Sequence, residues 1–274
     1  MNYTHDDIHR MIDEEYDPDL IIAERMPDRT RSVYALKAAQ VVMFPQFFSY
    51  LEMTADECLE ALAGWLKQEI SVGLQVLKDH TRDPEELTEQ FLLRLPKIKS
   101  LLLTDIQAIY DGDPAAKTKG EVIICYPGFY AISIYRIAHE LYQLNVPFIP
   151  RIMTEYAHEK TGIDINPGAA IGHHFCIDHG TGIVVGETAV LGDHVKLYQG
   201  VTIGAKSFEL DENGHPVKGG KRHPDIGNHV VIYANATILG GTTKIGDNCV
   251  IGGNVWLTHS VPEGETVYYR SVEQ

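Results

Sequence analysis

Cysteine is scarce: there are four in 274 residues (Cys58, Cys125, Cys176 and Cys249), and no CxxC pair. This argues against a disulfide framework or a cysteine-built zinc site, and a reducing, cytoplasmic location is expected. Basic charge is also in short supply. Lys and Arg number 23 against 38 Asp and Glu, a net charge of −15 at pH 7. A nucleic-acid binder needs a basic stripe, so no nucleic-acid partner is expected; the acidic balance itself serves solubility and names no partner. No apolar run reaches the roughly 18 residues of a membrane span, and none is expected. The start, Met1-Asn2-Tyr3-Thr4-His5-Asp6-Asp7, is polar and acidic where a signal peptide is basic and then apolar. At this length the chain can hold one large or two modest domains.

What is present is a beat. Ile165, Ile171, Ile177 and Ile183 stand six residues apart; after a two-residue slip the beat resumes at Val185, Leu191, Leu197 and Ile203. It returns at Ile226, Ile232 and Ile238, slips by one, and runs through Ile245, Ile251 and Leu257. A helix repeats near 3.6 and a strand at 2, so neither gives six. A chain that turns a corner every six residues does. Three short strands then form a triangular coil of about eighteen residues, with one aliphatic side chain per strand turned inward. The fold class is therefore an α-helical N-terminal domain followed by a left-handed parallel β-helix of hexapeptide repeats. Such prisms are often acyltransferases, a statement about a fold class and only a starting point for function.

The domains expected are residues 1–161, helical; 162–264, the prism; and 265–274, a tail. In the first, Thr54 to Glu57 fits a capping box ahead of a helix. A second helix starts near Asp83-Pro84 and runs toward Tyr110, kinked or split at Pro96. A third covers Gly128 to Leu144, and a fourth Arg151 to Lys160, stopping at Gly162. The prism is interrupted between Ile203 and Ile226, 23 residues where six would do. A solenoid expels such an insertion at a corner, so a long loop (204–225) is expected, with Asn213-Gly214 as its turn.

Three groups of residues can carry chemistry. His179 lies in Asp178-His179-Gly180-Thr181-Gly182, beside the first slip, and Asp164 lies nearly one coil earlier, on almost the same edge. An imidazole backed by a carboxylate accepts a hydroxyl proton; the plainer reading is a solvated corner. Arg222-His223 ends the expelled loop, where Arg offers a fork to a carboxylate or is simply solvated. Asp111-Gly112-Asp113-Pro114 is a third candidate, or a turn that ends one helix after Tyr110 and opens another at Pro114.

The segments Asp164-Ile165-Asn166-Pro167-Gly168-Ala169-Ala170-Ile171-Gly172, Asp178 to Ala189 and Arg222-His223-Pro224 closely resemble serine O-acetyltransferase. The resemblance extends to Asp111–Pro114 and Tyr135-Arg136-Ile137-Ala138-His139, covering roughly residues 100 to 260, and the helical region before the prism is shared. It implies acetyl transfer from acetyl-CoA to L-serine in cysteine biosynthesis, with no metal or prosthetic group. His179 would be the general base and Asp164 its partner. Asp113 and Asp178 would hold the serine ammonium; Arg222 and His223 would hold its carboxylate. Gly204, Ala205, Ala234 and Gly253 would line the coenzyme edge between subunits. L-Cysteine would act as feedback inhibitor. The chain departs from the family pattern in two places. Its loop 204–225 is longer, and Val250 stands where a lysine is usual, leaving Lys206, Lys221 or Lys244 for a phosphate.

Prisms of this type associate side by side as trimers, and the resemblance implies a trimer or a pair of trimers. A complex with O-acetylserine sulfhydrylase is not expected. Such complexes use a tail ending in isoleucine, whereas this chain ends in Gln274 after Glu273, and its tail is expected to cap the last coil through Val267, Tyr268 and Tyr269. Two other readings remain. One is a hexapeptide acetyltransferase with another small hydroxyl or amine acceptor. The other is a zinc hydratase of the γ-carbonic-anhydrase kind, with His174, His179, His194, His223 and His229 as possible ligands.

Overall fold

The computed structural model describes residues 3–14, 25–49, 52–207 and 210–269. Among these, eight helices come first: α1 (His5–Glu14), α2 (Arg29–Met43), α3 (Ala55–Val76), α4 (Pro84–Leu92), α5 (Leu95–Gly112), α6 (Lys119–Cys125), α7 (Pro127–Gln143) and α8 (Ile149–Thr161). Their starts follow from the sequence. Thr54 and Glu57 form the expected capping box at α3, and Asp83 caps α4 ahead of Pro84. Pro96 does split the following segment: it sits in the first turn of α5, where its missing N–H leaves no bond unmade. Gly162 ends α8 in the left-handed conformation (φ 69°). One expectation is corrected. Pro114 opens no helix; α5 runs through Gly112, a turn follows, and α6 starts later because Thr118 caps it through the Glu121 N–H.

Fourteen strands follow: β1 (Asp164–Ile165), β2 (Ala170–Ile171), β3 (Cys176–Asp178), β4 (Val184–Val185), β5 (Val190–Leu191), β6 (Lys196–Tyr198), β7 (Thr202–Gly204), β8 (Asp225–Ile226), β9 (Val231–Ile232), β10 (Thr237–Leu239), β11 (Lys244–Ile245), β12 (Val250–Ile251), β13 (Trp256–Leu257) and β14 (Thr266–Val267). They stack as three parallel sheets, each taking every third strand until β14, which follows β12: β1-β4-β7-β10-β13, β2-β5-β8-β11, and β3-β6-β9-β12-β14. The beat residues point inward in turn from the three faces, and Ile165 through Leu257 are buried. Each contributes about 1.5–3 kcal/mol of burial. Of the tail, Val267 pairs with Ile251 and extends the third sheet, while Tyr268 and Tyr269 stay largely exposed, Tyr268 lying beside Gly252. Residues 270–274, on which the expectation of no sulfhydrylase partner rests, lie outside the described residues.

The first coil is two residues longer than the second, since Asp164 pairs with Val184 and Val184 with Thr202. The surplus sits at the corner between the third and first sheets. There the Gly200 N–H donates to the Thr181 carbonyl (3.0 Å), aligning Thr181-Gly182 with Gln199-Gly200 and leaving His179-Gly180 as two extra residues. Both adopt positive φ (59° and 101°). A Cβ on Gly180 would stand 2.5 Å from Ile163 Cδ1, so glycine is required on both counts. The long loop emerges at the next corner, between β7 and β8.

The helices dock on the first coil through α5, α7 and α8. Arg136 of α7, 3 % exposed, grips Asp105 of α5 with Nε and Nη2 (3.0 Å each) and donates to the Ile171 and Gly172 carbonyls. Asp105 also accepts from the Phe175 N–H (2.9 Å), and the Tyr135 hydroxyl donates to the Ala169 carbonyl (2.6 Å). No helix among the described residues is long and apolar enough to cross a membrane.

Candidate active site

Two polar clusters occupy two corners of the prism. The first gathers where α5 ends against the third sheet. Asp113, the C-cap of α5, accepts from the Tyr126 hydroxyl (2.6 Å) and the Ala115 N–H (2.8 Å). The Tyr126 bond, then the Ala115 bond, holds its carboxyl below the usual carboxylate range. The same bond pushes the Tyr126 phenol up to about 12, so it remains a donor. Asp178 leaves β3 beside it, ion-paired with Lys196 Nζ (3.1 Å). His179 Nε2 stands 3.8 Å from Asp178 Oδ1, and the imidazole is 72 % exposed because the two-residue bulge pushes it off the prism. Cys176, next on this face, is no nucleophile: burial pushes its thiol up to about 12.

The second cluster lies where the loop rejoins the prism. The Arg222 guanidinium pairs with Glu187, which also accepts from the Tyr142 hydroxyl. His223 lies buried across Gly186, where an added Cβ would come within 2.1 Å of the ring. The Thr188 N–H donates to its Nδ1 (3.1 Å), which places the proton of the neutral ring on Nε2. Burial, and then the nearby Arg222 and Lys221 charges, lower its pKa to about 4. The unfolded chain therefore takes up this proton first. The stability that neutral His223 contributes is full above about pH 6.5 and is lost as pH falls toward about 4. Melting temperatures across that window are expected to fall less steeply in His223→Asn, whose Oδ1 can replace the Nδ1 acceptor, than in the unaltered protein. Parallel slopes would mean that His223 is not the titrating group.

Asp113, Asp178 and His179 thus come together, as do Arg222 and His223, but a single chain keeps the two sets at different corners. Asp164 and His179 flank one corner without meeting: Asp164 opens the first sheet in register with Val184, and the Asp164 side chain has no ion pair or hydrogen bond among the described residues. Of the coenzyme candidates, Ala234 and Gly253 stack on adjacent coils at one corner, where a Cβ on Gly253 would meet the Ala234 carbonyl at 3.1 Å. Gly204 and Ala205 lie at the other end of the first sheet, where the loop departs. A cavity of about 370 Å³ opens there, lined by Lys206, Lys221, Arg222, Gly240 and Gly241. Val250 is on the third sheet and Lys244 on the second, away from it.

The five histidines considered for zinc stand at three corners. His174, His194 and His229 stack on one another (centroids 4.1 and 4.6 Å apart) between the second and third sheets, while His179 and His223 occupy the other two corners. No group of three or more metal-ligating side chains converges among the described residues. Sequence reasoning missed Tyr126, Lys196, Glu187 and Thr188. Lys196 alone left a signal: it is a charged residue one rung from Cys176, on the face that carries Asp178.

A helical domain on a hexapeptide-repeat prism with these polar corners defines an acyltransferase of the hexapeptide-repeat class. No family model matches the chain. It is 44 % identical to a serine acetyltransferase of Synechococcus elongatus over 94 % of this chain and 84 % of that protein. It superposes on serine acetyltransferase 1 of Entamoeba histolytica in complex with L-cysteine with a TM-score of 0.76, at 36 % identity, covering 95 % of this chain and 96 % of that one. The Neisseria gonorrhoeae serine acetyltransferase in complex with serine gives a TM-score of 0.60 at 29 % identity, over 89 % of this chain and 96 % of that one. The chain belongs to the serine acetyltransferase family.

Proposed function

We propose that this chain transfers the acetyl group of acetyl-CoA to the hydroxyl of L-serine, giving O-acetyl-L-serine and CoA. The observation that carries the reading is the division of polar groups: fixed carboxylates beside an exposed imidazole at one corner, a guanidinium beside a neutral imidazole at the next. An amino acid needs both, one for its ammonium and one for its carboxylate. Their separation within one chain supports a side-by-side assembly in which one copy's Asp113, Asp178 and His179 face a second copy's Arg222 and His223. A trimer closes three such seams; a pair of trimers would join through the helical domains.

In this reading Asp113 and Asp178 receive the ammonium, and Arg222 and the His223 Nε2–H receive the carboxylate. His179 takes the hydroxyl proton as the serine oxygen attacks the thioester carbon, and Asp164 steadies the imidazolium. The C–O bond forms, the C–S bond breaks, and the proton returns from His179 to the leaving sulfur. Small residues at Ala234 and Gly253 leave the corner flat for a pantetheine arm, with Gly204 and Ala205 along the same sheet. Lys206 and Lys221 bring positive charge suited to its phosphates. L-Cysteine carries the same α-groups as serine and is expected to inhibit competitively with it.

Release of free thiol from acetyl-CoA, measured across a panel of acceptors, tests the reading: L-serine is expected to be preferred, and a better rate with another alcohol or amine overturns it. Arg222→Ala is expected to raise the Michaelis constant for serine by about one to two powers of ten, the equivalent of a lost charged hydrogen bond of roughly 1.5–3 kcal/mol. The inhibition constant of cysteine should rise with it, while the Michaelis constant for acetyl-CoA changes little. Equal effects on both substrates would move Arg222 to the coenzyme.

A further inference from the structure

Lys196 has no role in the reaction as derived so far, yet it joins the elements that build the first corner. It stands on β6, one rung from Cys176 and beside Tyr198, whose ring lies 4.6 Å from its ammonium. Its Nζ donates to the Gly112 carbonyl (2.8 Å), the last carbonyl of α5, where the helix favours a cation. The same nitrogen pairs with Asp178 Oδ2 at 3.1 Å. Lys196 and Asp178 are 16 % and 18 % exposed, so water screens this contact less than it would a surface pair. Asp113 directly follows Gly112. One ammonium therefore ties the helix end that carries Asp113 to the strand end that carries Asp178, and Asp178 in turn lies between Lys196 and His179.

We propose that Lys196 is a positioning residue for the transfer: it fixes Asp178 against the end of α5 and offsets the negative charge of the carboxylates beside His179. The inference rests on the reading of His179 as the base. The charge balance at this corner is simple. Asp178 comes from β3 and Asp113 from the end of α5. Tyr126, ahead of α7, and Cys176, on β3, keep their protons. Glu121 of α6 acts on Tyr126 from farther off. Lys196 is the cation set against these carboxylates and Asp164, which opens β1 at the same corner and is common to every variant. Burial works against its charge, but bonds to Tyr198 and Asp178 outweigh that and raise its pKa above the ordinary lysine range. A second copy's Arg222 and His223, joining across a seam, would be the same in every variant and cancel in the comparison.

The test is the pH dependence of kcat/KM for serine in Lys196→Gln, Lys196→Met and Lys196→Arg, with His179→Ala alongside. Gln retains a donor for the Gly112 carbonyl while losing the charge. Without the ammonium, two uncompensated carboxylates attract a proton to the corner. The acid limb is then expected to move to higher pH by about half a unit to one unit in Gln and Met, as for a unit charge a few ångströms away in partly screened surroundings. Activity at the alkaline plateau should fall much less than activity near pH 6.5. Lys196→Arg should leave the limb in place. A purely structural role would lower the whole profile in parallel, and that result, or an equal shift in Arg, overturns the inference. If Met proves unstable, Gln alone decides. Full activity in His179→Ala overturns the reading of the base and this inference with it; loss of activity there, with an unmoved limb in Gln, overturns the inference alone.

Discussion

His179→Ala is expected to lower kcat by about two to four powers of ten, the usual worth of a positioned base, or roughly 3–5 kcal/mol of barrier. Two structural facts sharpen the expectation. The imidazole is 72 % exposed, so its removal opens no cavity. Its backbone holds φ at 59°, a conformation that Asn accepts as readily as His. His179→Asn therefore serves as a companion with less backbone strain than Ala, and both should keep the unaltered circular-dichroism spectrum and melting temperature. Thiol release under saturating serine and acetyl-CoA measures the loss. Turnover within a few-fold of normal in either folded variant removes His179 from the base role. Asp164→Asn is expected to lose less, because the carboxylate only steadies a charge that the imidazole already bears.

The largest stability effect should come from Asp105→Ala. It leaves the Arg136 guanidinium, 3 % exposed, without its counter-ion and takes the acceptor from the Phe175 N–H. Breaking one side of a buried pair typically costs about 3–5 kcal/mol, which for a chain of this size lowers the melting temperature by on the order of ten degrees. Activity should fall with it even below the transition, since this clamp holds α5, and therefore Asp113, against the coil that carries Asp178. Asp105→Leu combined with Arg136→Met removes both charges and should recover part of the loss. Recovery is incomplete because the Ile171 and Gly172 carbonyls lose their donor. A thermal melt of the single and double variants distinguishes these outcomes, and a melting temperature within two degrees of normal for Asp105→Ala would show that the clamp contributes little.

The parts legible in the sequence are those that local chemistry dictates. One inward aliphatic per strand forces a six-residue beat, so the three faces, both slips and the expelled loop could be read directly. Thr54 with Glu57, and Pro96, likewise mark helix ends by their own hydrogen-bonding limits. Pro114 misled because a proline permits a helix start without requiring one, and Thr118 supplied the better cap. The bulge that lengthens the first coil left only a two-residue slip in the beat, so the exposure it gives His179 was not legible. Tyr126 was out of reach, and of Lys196 only its place one rung from Cys176 was legible. Their link to Gly112 and Asp113 exists only once α5 has docked on the third sheet, and no periodicity connects Lys196 to Gly112.

The loop that leaves after Gly204 returns on the next face of the same coil at Asp225, and both of its ends are stitched into the ladder. Gly240 donates to the Gly204 carbonyl, and Asp225 to that of Thr243. The prism thus acts as a clip with a fixed gap. What is threaded through the gap can lengthen without straining a strand, and each doubling of its length disfavours closure by only about 0.6 kcal/mol. The lysines and glycines of that segment can therefore change almost independently of the corner that holds His179.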